Sequence, residues 1–573
     1  MPQTLTTPRG ETLSGTPWQV YPRPQMRRDS YINLNGEWDF AVSSGKPETF
    51  DMRITVPFCP ESRLSGIGRH FEEGAPLWYR RRFLLPEGFR RKRVLLHIGA
   101  ADQTAEVFVN GQHLCRHEGG YASFCVDITE ALAEENELVI RCTDDLHDQA
   151  FPYGKQVMNR GGMWYTPVSG IWQTVWLESV PGTYIENLNI ENHGASVTIS
   201  TVPPLEGTVS VEPLGQFPLE NGQVTIAPEN PHFWCPDDPY LYHFTLETAQ
   251  DKVESYFAIR SLEIKKVGEY PRLCLNGKPY FFHGLLDQGY WPEGLLTAPA
   301  PESYADDILA MKRLGFNTLR KHIKVEPEEF YYQCDRLGMI VWQDMVNNSS
   351  YSYFRDTVLP TIGIQKWNDR RLHLDERSRN AFRRGAADAV NQLKNHPCIC
   401  YWTIFNEGWG QFDSDRVCGW FRTLDATRFI DTTSGWFRGK NTDVDSRHQY
   451  FGKLRLTGDG LRPLVLSEFG GKTWRVEGHI FNPDKTYGYG ACPTREALNE
   501  AVAALYRESI VPAVEKGLCA AIYTQVSDVE DEVNGLITYD RRVVKLDADT
   551  MLPISRALQD AMEKTVASFE KMG

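Results

Sequence analysis

The chain has 573 residues, too many for one hydrophobic core and enough for roughly three or four domains. With 41% hydrophobic and 24% charged residues it has the composition of an ordinary globular protein. Its net charge of −14 disfavours a general binder of nucleic acid or of an anionic membrane, because phosphate attraction needs a basic face. No run of about 18 apolar residues offers a membrane span. Met1-Pro2-Gln3-Thr4-Leu5-Thr6 has neither the basic nor the apolar region of a signal peptide. The 12 cysteines are scattered, and the close pair Cys398 and Cys400 lies in an apolar run whose alternation sends the two thiols to opposite faces. They read as buried free thiols, not as a metal or disulfide framework, so a cytoplasmic location is expected.

Residues 1–182 carry short alternating runs broken by turn signals, such as Arg93-Val94-Leu95-Leu96-His97-Ile98 and Ala105-Glu106-Val107-Phe108-Val109. Asn110-Gly111 after the second predicts a hairpin, and helical periodicity is nearly absent. This region reads as a jelly-roll β-sandwich. Residues 183–264 continue in short strands, for example Ala195-Ser196-Val197-Thr198-Ile199, at a scale that suits a small immunoglobulin-like sandwich.

From residue 265 to 573 strands alternate with helices. Strands are predicted at 281–286, 317–321, 339–344, 399–406, 429–434, 443–450, 464–468 and 520–525. Helical patterns run over 302–314, 326–337, 376–395, 414–426 and 495–516. Several strands are continuous apolar runs, as strands buried on both faces should be. Eight such strands fit a (β/α)8 barrel, with a doubly wound sheet as the competing fold.

Two of these strands end in a carboxylate. The run Cys398-Ile399-Cys400-Tyr401-Trp402-Thr403-Ile404-Phe405 stops at Asn406-Glu407-Gly408-Trp409, and Pro463-Leu464-Val465-Leu466-Ser467 stops at Glu468-Phe469-Gly470-Gly471. In a barrel both strand ends open onto one mouth, which faces two carboxylates across a cleft. Retaining glycoside hydrolysis needs that arrangement: an acid that protonates the leaving oxygen and a nucleophile about 5 Å away. Phe405 and Trp409 beside Glu407 predict an apolar setting that keeps an acid protonated. Asn406 is placed to bond a sugar hydroxyl. Arg320 and Tyr450, at the ends of the second and sixth strands, are candidates to keep Glu468 ionised, although they also fit a structural ion pair and a half-buried strand tyrosine. Trp409, Trp436 and Trp474 follow strand ends, where a sugar platform would sit, and Trp also fits the core. His448 reads as a supporting histidine, because no cluster with ligand spacing accompanies it; no metal or other cofactor is expected.

An ordered set of pieces then resembles glycoside hydrolase family 2, the group of β-galactosidases, β-glucuronidases and β-mannosidases. They are Leu34-Asn35-Gly36-Glu37-Trp38, Val107-Phe108-Val109-Asn110-Gly111, Ser169-Gly170-Ile171-Trp172 and Phe257-Ala258-Ile259-Arg260, then Asn276-Gly277-Lys278-Pro279, Asn317-Thr318-Leu319-Arg320, Cys334-Asp335-Arg336-Leu337-Gly338, Asn406-Glu407-Gly408-Trp409 and Ser467-Glu468-Phe469-Gly470. The resemblance implies Glu407 as acid/base and Glu468 as nucleophile of an exo-acting enzyme on an oligosaccharide or glycoside, often as a homo-oligomer. The sugar-reading positions depart from the family. Ile323 stands where a sugar-binding histidine is usual, with His322 one place off; Trp164 stands for an aspartate; Glu532-Val533-Asn534 lacks the lysine that glucuronidases use; and Tyr523-Thr524-Gln525 lacks a tryptophan. The new lysines Lys321 and Lys324 are candidate anchors for a carboxylate or hydroxyls, or else solvated loop lysines. The expectation is a retaining exo-β-glycosidase that removes terminal β-linked sugars through a covalent glycosyl-enzyme intermediate, β-galactosidase- or β-glucuronidase-like with altered sugar-reading residues; a glycosidase of another glycone, whether a uronide, a mannoside or a furanoside, is an alternative. A non-catalytic carbohydrate-binding protein and a metal-dependent barrel enzyme are the competing readings.

Overall fold

The computed structural model describes every residue except Met1, His147, 362–363, 365–368, Arg438, Arg455 and 571–573; for residues 361 and 567–570 it describes the backbone alone. The first sandwich packs a six-stranded antiparallel sheet against a four-stranded one. Trp38, Phe40, Tyr79, Val107 and Ile140 meet Leu96 and Leu177 in its core. Asn110 and Gly111 join Thr104–Val109 to Gln112–Glu118 with φ of +50° and +81°, the left-handed pair that a tight hairpin requires. The second sandwich stacks three strands on four around Ile190, Ile199, Val209, Leu246 and Phe257.

Eight parallel strands form the third unit. They are β1 (Phe282–Asp287), β2 (Thr318–Lys321), β3 (Ile340–Asp344), β4 (Ile399–Asn406), β5 (Phe429–Ser434), β6 (Asp445–Gln449), β7 (Leu464–Gly470) and β8 (Leu518–Thr524). Their order, β5-β4-β3-β2-β1-β8-β7-β6, keeps sequence neighbours adjacent and curls the sheet into a barrel, which excludes the doubly wound alternative. β1, β2, β3, β4, β5, β7 and β8 are buried along their whole length, and in β4, β7 and β8 this shows as near-continuous apolar runs. β5 and β6 share no ladder, so the barrel is nearly closed. Side chains bridge the seam instead, with Ser434 Oγ 2.9 Å from His448 Nε2.

Helices cover the outside. The one expected at 414–426 stops at Phe421, because the chain turns so that Asp425 can accept from the Trp402 indole at 2.9 Å. The one expected at 495–516 is an α-helix over Arg495–Leu505 that continues through a π-turn at Tyr506–Ile510 into Val511–Val514.

The second sandwich grips the foot of β4. Arg260 donates to the carbonyls of Pro397 and Ile399 at 2.6 and 2.8 Å. Asp335, fully buried, accepts from the Tyr256 hydroxyl at 2.7 Å, lies 2.6 Å from His396 Nδ1 and accepts from the Cys398 N–H at 2.8 Å. Trp234 donates its indole N–H to the Asp335 carbonyl at 2.7 Å. No described helix is long and apolar enough to cross a membrane.

Candidate active site

The C-terminal ends of the barrel strands converge on one pocket. At the head of β4, Glu407 leaves the strand with φ of +51°, and its N–H donates to the Ser434 carbonyl at 2.9 Å. A left-handed backbone at a non-glycine residue is strained and persists only where its surroundings fix it. Gly408 follows at φ +76°, and a Cβ there would lie 2.1 Å from the Phe437 ring. In β7 a one-residue irregularity sets His448 opposite Glu468 while Arg447 stays opposite Leu466. Such a bulge re-aims the side chain that follows it.

Arg320, with no exposed surface, is the centre of the floor. Its guanidinium donates to Asp344 Oδ1 at 3.0 Å, to the Ser467 carbonyl at 3.0 Å, to Glu468 Oε1 at 3.0 Å and to Asn406 Oδ1 at 2.8 Å. The Tyr450 hydroxyl donates to the other Glu468 oxygen at 2.6 Å and lies 2.9 Å from Thr524 Oγ1. Burial works against the Glu468 carboxylate, but the imidazole of His448, the Arg320 guanidinium, the His322 ring and the Tyr450 hydroxyl outweigh it and hold the group down at about 2. With its oxygen taken by Arg320, Asn406 keeps its amide nitrogen as a donor for the pocket.

Glu407 differs from expectation. Phe405 points away into the core, stacked on Phe382, and Trp409 packs edge-on against Tyr153, Trp164 and Tyr351. The Glu407 carboxylate meets an imidazole instead of an apolar wall: its Oε1 lies 2.8 Å from His448 Nδ1. Strand parity and sequence neighbours do not reveal this, since Glu407 has already left the strand.

Glu407, His448 and Glu468 each bring one oxygen or nitrogen within 4.8 Å of the others. This corrects the expectation that His448 has no clustered partners. The donors fit a divalent ion poorly. Both ring nitrogens of His448 are engaged, by Glu407 and Ser434, and the fixed cation of Arg320 already sits on Glu468.

Asn406, Glu407, Trp409, Tyr450 and Glu468 line the pocket, with Arg320 and His448 behind them. Trp436 stands edge-on to His448, 5.7 Å away, and Trp474 is half-buried against the barrel core; neither lines the pocket. Trp409 is 3% exposed and offers no open platform. Lys321 is a clear correction. Arg320 points into the barrel, so Lys321, next along β2, points out. Its ammonium pairs with Asp287 at 2.6 Å and Glu326 at 2.9 Å, over the Phe330 ring. Lys324 is equally unavailable, donating to the carbonyls of Gly289 and Leu296 and to Glu326.

Several pocket residues escaped the sequence reading. Asp344 ends an apolar strand as Glu407 does and carried the same signal; it holds Arg320 and also His322, whose Nδ1 lies 2.7 Å from it. Burial and the cation of Lys155 push the His322 ring down to about 4, so it is neutral near pH 7. Lys155, Met163, Tyr351, Tyr489 and Gln288 lie on loops or just past a strand, with no pattern to mark them. Tyr489 stacks on Tyr450 with ring centres 3.9 Å apart. Trp164 and Ile323, two departures from the family pattern, both face the pocket.

Three family descriptions match in chain order: “Glycosyl hydrolase 2 galactose-binding domain-like” over residues 69–160, “Glycosyl hydrolases family 2” over 183–260 and “Glycosyl hydrolases family 2, TIM barrel domain” over 266–454. The chain belongs to glycosyl hydrolase family 2. Among curated proteins, it is similar to a β-galactosidase of Thermoanaerobacter pseudethanolicus, 24% identical over 57% of this chain and 44% of that protein. A β-glucuronidase of Bacteroides fragilis is 22% identical over 66% of this chain and 56% of its own length. The chain thus spans about half the length of the curated relatives it matches. Among solved structures, a β-glucuronidase from an uncultured Clostridium species matches with TM-score 0.70 at 18% identity, covering 95% of this chain and all of that one. A family 2 β-galacturonidase of Eisenbergiella tayi bound to galacturonate matches with TM-score 0.66 at 17% identity, covering 95% of this chain and 99% of that one. These likenesses carry the three-part fold.

Proposed function

We propose that the protein is a retaining, exo-acting β-glycosidase, with Glu407 as acid/base and Glu468 as nucleophile. The observation that carries this is the approach of the two carboxylates, whose oxygens come within 4.8 Å. That suits direct attack at the sugar carbon; an inverting enzyme leaves roughly 6.5–9.5 Å for a water. Their surroundings divide the roles. Arg320 and Tyr450 keep Glu468 ionised, while Glu407 has an imidazole behind it and the pocket in front.

In the first step a Glu468 oxygen bonds to the anomeric carbon as the glycosidic C–O bond breaks. Glu407 gives its proton to the leaving oxygen. In the second, Glu407 takes a proton from water, the water oxygen bonds to the same carbon, and Glu468 leaves as a carboxylate. The groups that hold Glu468 low make it a better leaving group in that second step. Asn406, donating through its amide nitrogen, suits a sugar hydroxyl next to the reacting carbon. The segment carrying Trp164, with Tyr351, narrows the mouth to a pocket that suits a terminal sugar.

The domain reading that accompanies this is 1–182, 183–264 and 265–573, supported by a core of its own in each sandwich, while the barrel core also takes in Trp18, Phe58 and Trp172 of the first segment and Trp234 of the second. Twelve cysteines without a disulfide support a reducing compartment.

The test is hydrolysis of a panel of 4-nitrophenyl β-glycosides, with the anomer of the first product read by NMR. The retained β-anomer is expected, with turnover lost in Glu468→Ala. An α-anomer as first product overturns the retaining mechanism; substantial turnover by Glu468→Ala overturns the assignment of Glu468.

A further inference from the structure

We propose that Lys155, on the first sandwich, together with Gln288, at the end of β1, reads a carboxylate on the bound sugar, so that the preferred glycone is a hexuronic acid. This rests on the glycosidase reading above and names its substrate class and a specificity-determining residue.

The segment before Lys155 is pinned onto the barrel. The N–H groups of Tyr153 and Gly154 donate to the Asn347 carbonyl at 3.1 and 3.4 Å, and the Tyr153 hydroxyl donates to the Ser349 carbonyl at 2.8 Å. Gly154 has φ of +66°, and a Cβ there would lie 2.7 Å from the Tyr121 hydroxyl and 3.2 Å from the Ile323 carbonyl. Only glycine lets the chain pass this close to the barrel. The next residue, Lys155, therefore arrives at the pocket beside Ile323.

Its ammonium is unlike those of three lysines near the pocket. Lys321, Lys324 and Lys545 are buried and paired with carboxylates. Lys155 has no ion pair or hydrogen-bond acceptor among the described residues, and the nearest aromatic ring centre, that of Tyr165, is 5.9 Å away. The carboxylates of the pocket do not account for it, because each has other partners: Glu407 has His448, Glu468 has Arg320 and Tyr450, and Glu532 has Tyr165 and Asn534. Gln288 adds an independent sign. It is 4% exposed, lines the pocket, and its amide nitrogen has no acceptor. A buried donor left open beside a cation in a pocket calls for an acceptor from a ligand.

A neutral sugar would satisfy the amide but leave the ammonium uncompensated as the pocket fills and water leaves; a carboxylate satisfies both. The loop after β8 supplies no alternative cation, since Lys545 is held on Asp528 and the Val533 carbonyl, Arg541 pairs with Asp307 and Arg542 with Glu11. A carboxylate entering a pocket with Glu407 and Glu468 also needs a counter-charge, and Lys155 is the open cation among the residues that line it.

The test compares kcat/KM for the 4-nitrophenyl β-glucuronide and β-galacturonide with that for the β-glucoside and β-galactoside. In the wild type the uronides should be preferred. In Lys155→Met the ratio of uronide to neutral substrate should fall about 10²-fold, as expected for a hydrogen bond between charged groups, and Lys155→Arg should recover part of it. Thermal melting of each variant checks that it folds. A ratio that changes less than about threefold, or a wild type that cleaves only neutral glycosides, overturns the inference and leaves the glycosidase reading standing. If no glycoside is cleaved, that reading fails instead. Calorimetric titration with D-glucuronate and D-galacturonate against D-glucose and D-galactose then decides: acid binding lost in Lys155→Met supports the site, and no preference for the acids overturns it.

Discussion

The floor and the rim of the pocket are built on opposite terms. At the floor, Arg320 donates to Asp344, Asn406, Glu468 and the Ser467 carbonyl, and almost every donor has its acceptor. At the rim, the Lys155 ammonium and the Gln288 amide stand open, and Ile323 holds a left-handed backbone at φ +54° that a β-branched residue seldom adopts. The floor is over-determined, as reacting groups must be if their geometry is to survive each turnover. The rim is left for a ligand to complete.

The sharpest way to break the floor is Glu468→Ala, expected to lower kcat by roughly 10⁴-fold or more in a variant whose circular dichroism shows it to be folded. A variant that retains a tenth of the activity would remove Glu468 from the chemistry. Arg320→Met comes next. It leaves Asp344 and Glu468 buried without their cation, so a stability loss of about 3–5 kcal/mol by denaturant titration should accompany loss of activity. An unchanged midpoint would mean that the floor is not held together by Arg320.

Tyr450→Phe removes one donor from Glu468 and should cost about 10²-fold in kcat with little change in KM. A pure KM effect would move Tyr450 from the chemistry to binding.

The smallest effect is one of pH. His322 binds its proton only near pH 4 when folded and near 6.5 when unfolded, so between those values the unfolded chain takes up the extra proton. Its contribution to stability is complete above about pH 6.5 and is lost as the pH falls toward 4. Glu468, held at about 2 against an ordinary 4.5, contributes fully above 4.5 and loses that contribution as the pH falls from 4.5 toward 2. Melting temperatures of His322→Gln should therefore fall less steeply than those of the wild type from pH 6.5 to 4. Parallel curves would exclude His322 as the group responsible.

The floor was far more legible in the sequence than the rim. Strands buried on both faces announce themselves as apolar runs, and a carboxylate that ends such a run stands out, as Glu407 and Glu468 do. Asp344 ends its run in the same way and carries the same signal. Strand alternation with Arg320 already argues against Lys321 as an anchor in the pocket. The pairing of Glu407 with His448 depends on the left-handed step after Asn406 and on the irregularity in β7, which no periodicity reports. Lys155 was out of reach for a different reason. It belongs to another sandwich and meets the barrel only because Gly154 allows a close approach.

Asp335 carries a consequence for how the molecule comes apart. It joins Tyr256 of the second sandwich to His396 and to the N–H of Cys398, at the foot of the strand whose head bears Asn406 and Glu407. Shedding the sandwich would strip partners from a fully buried carboxylate and loosen β4 from below. Sandwich and barrel should therefore unfold as one cooperative unit, with activity and the sandwich's structural signal disappearing at the same temperature.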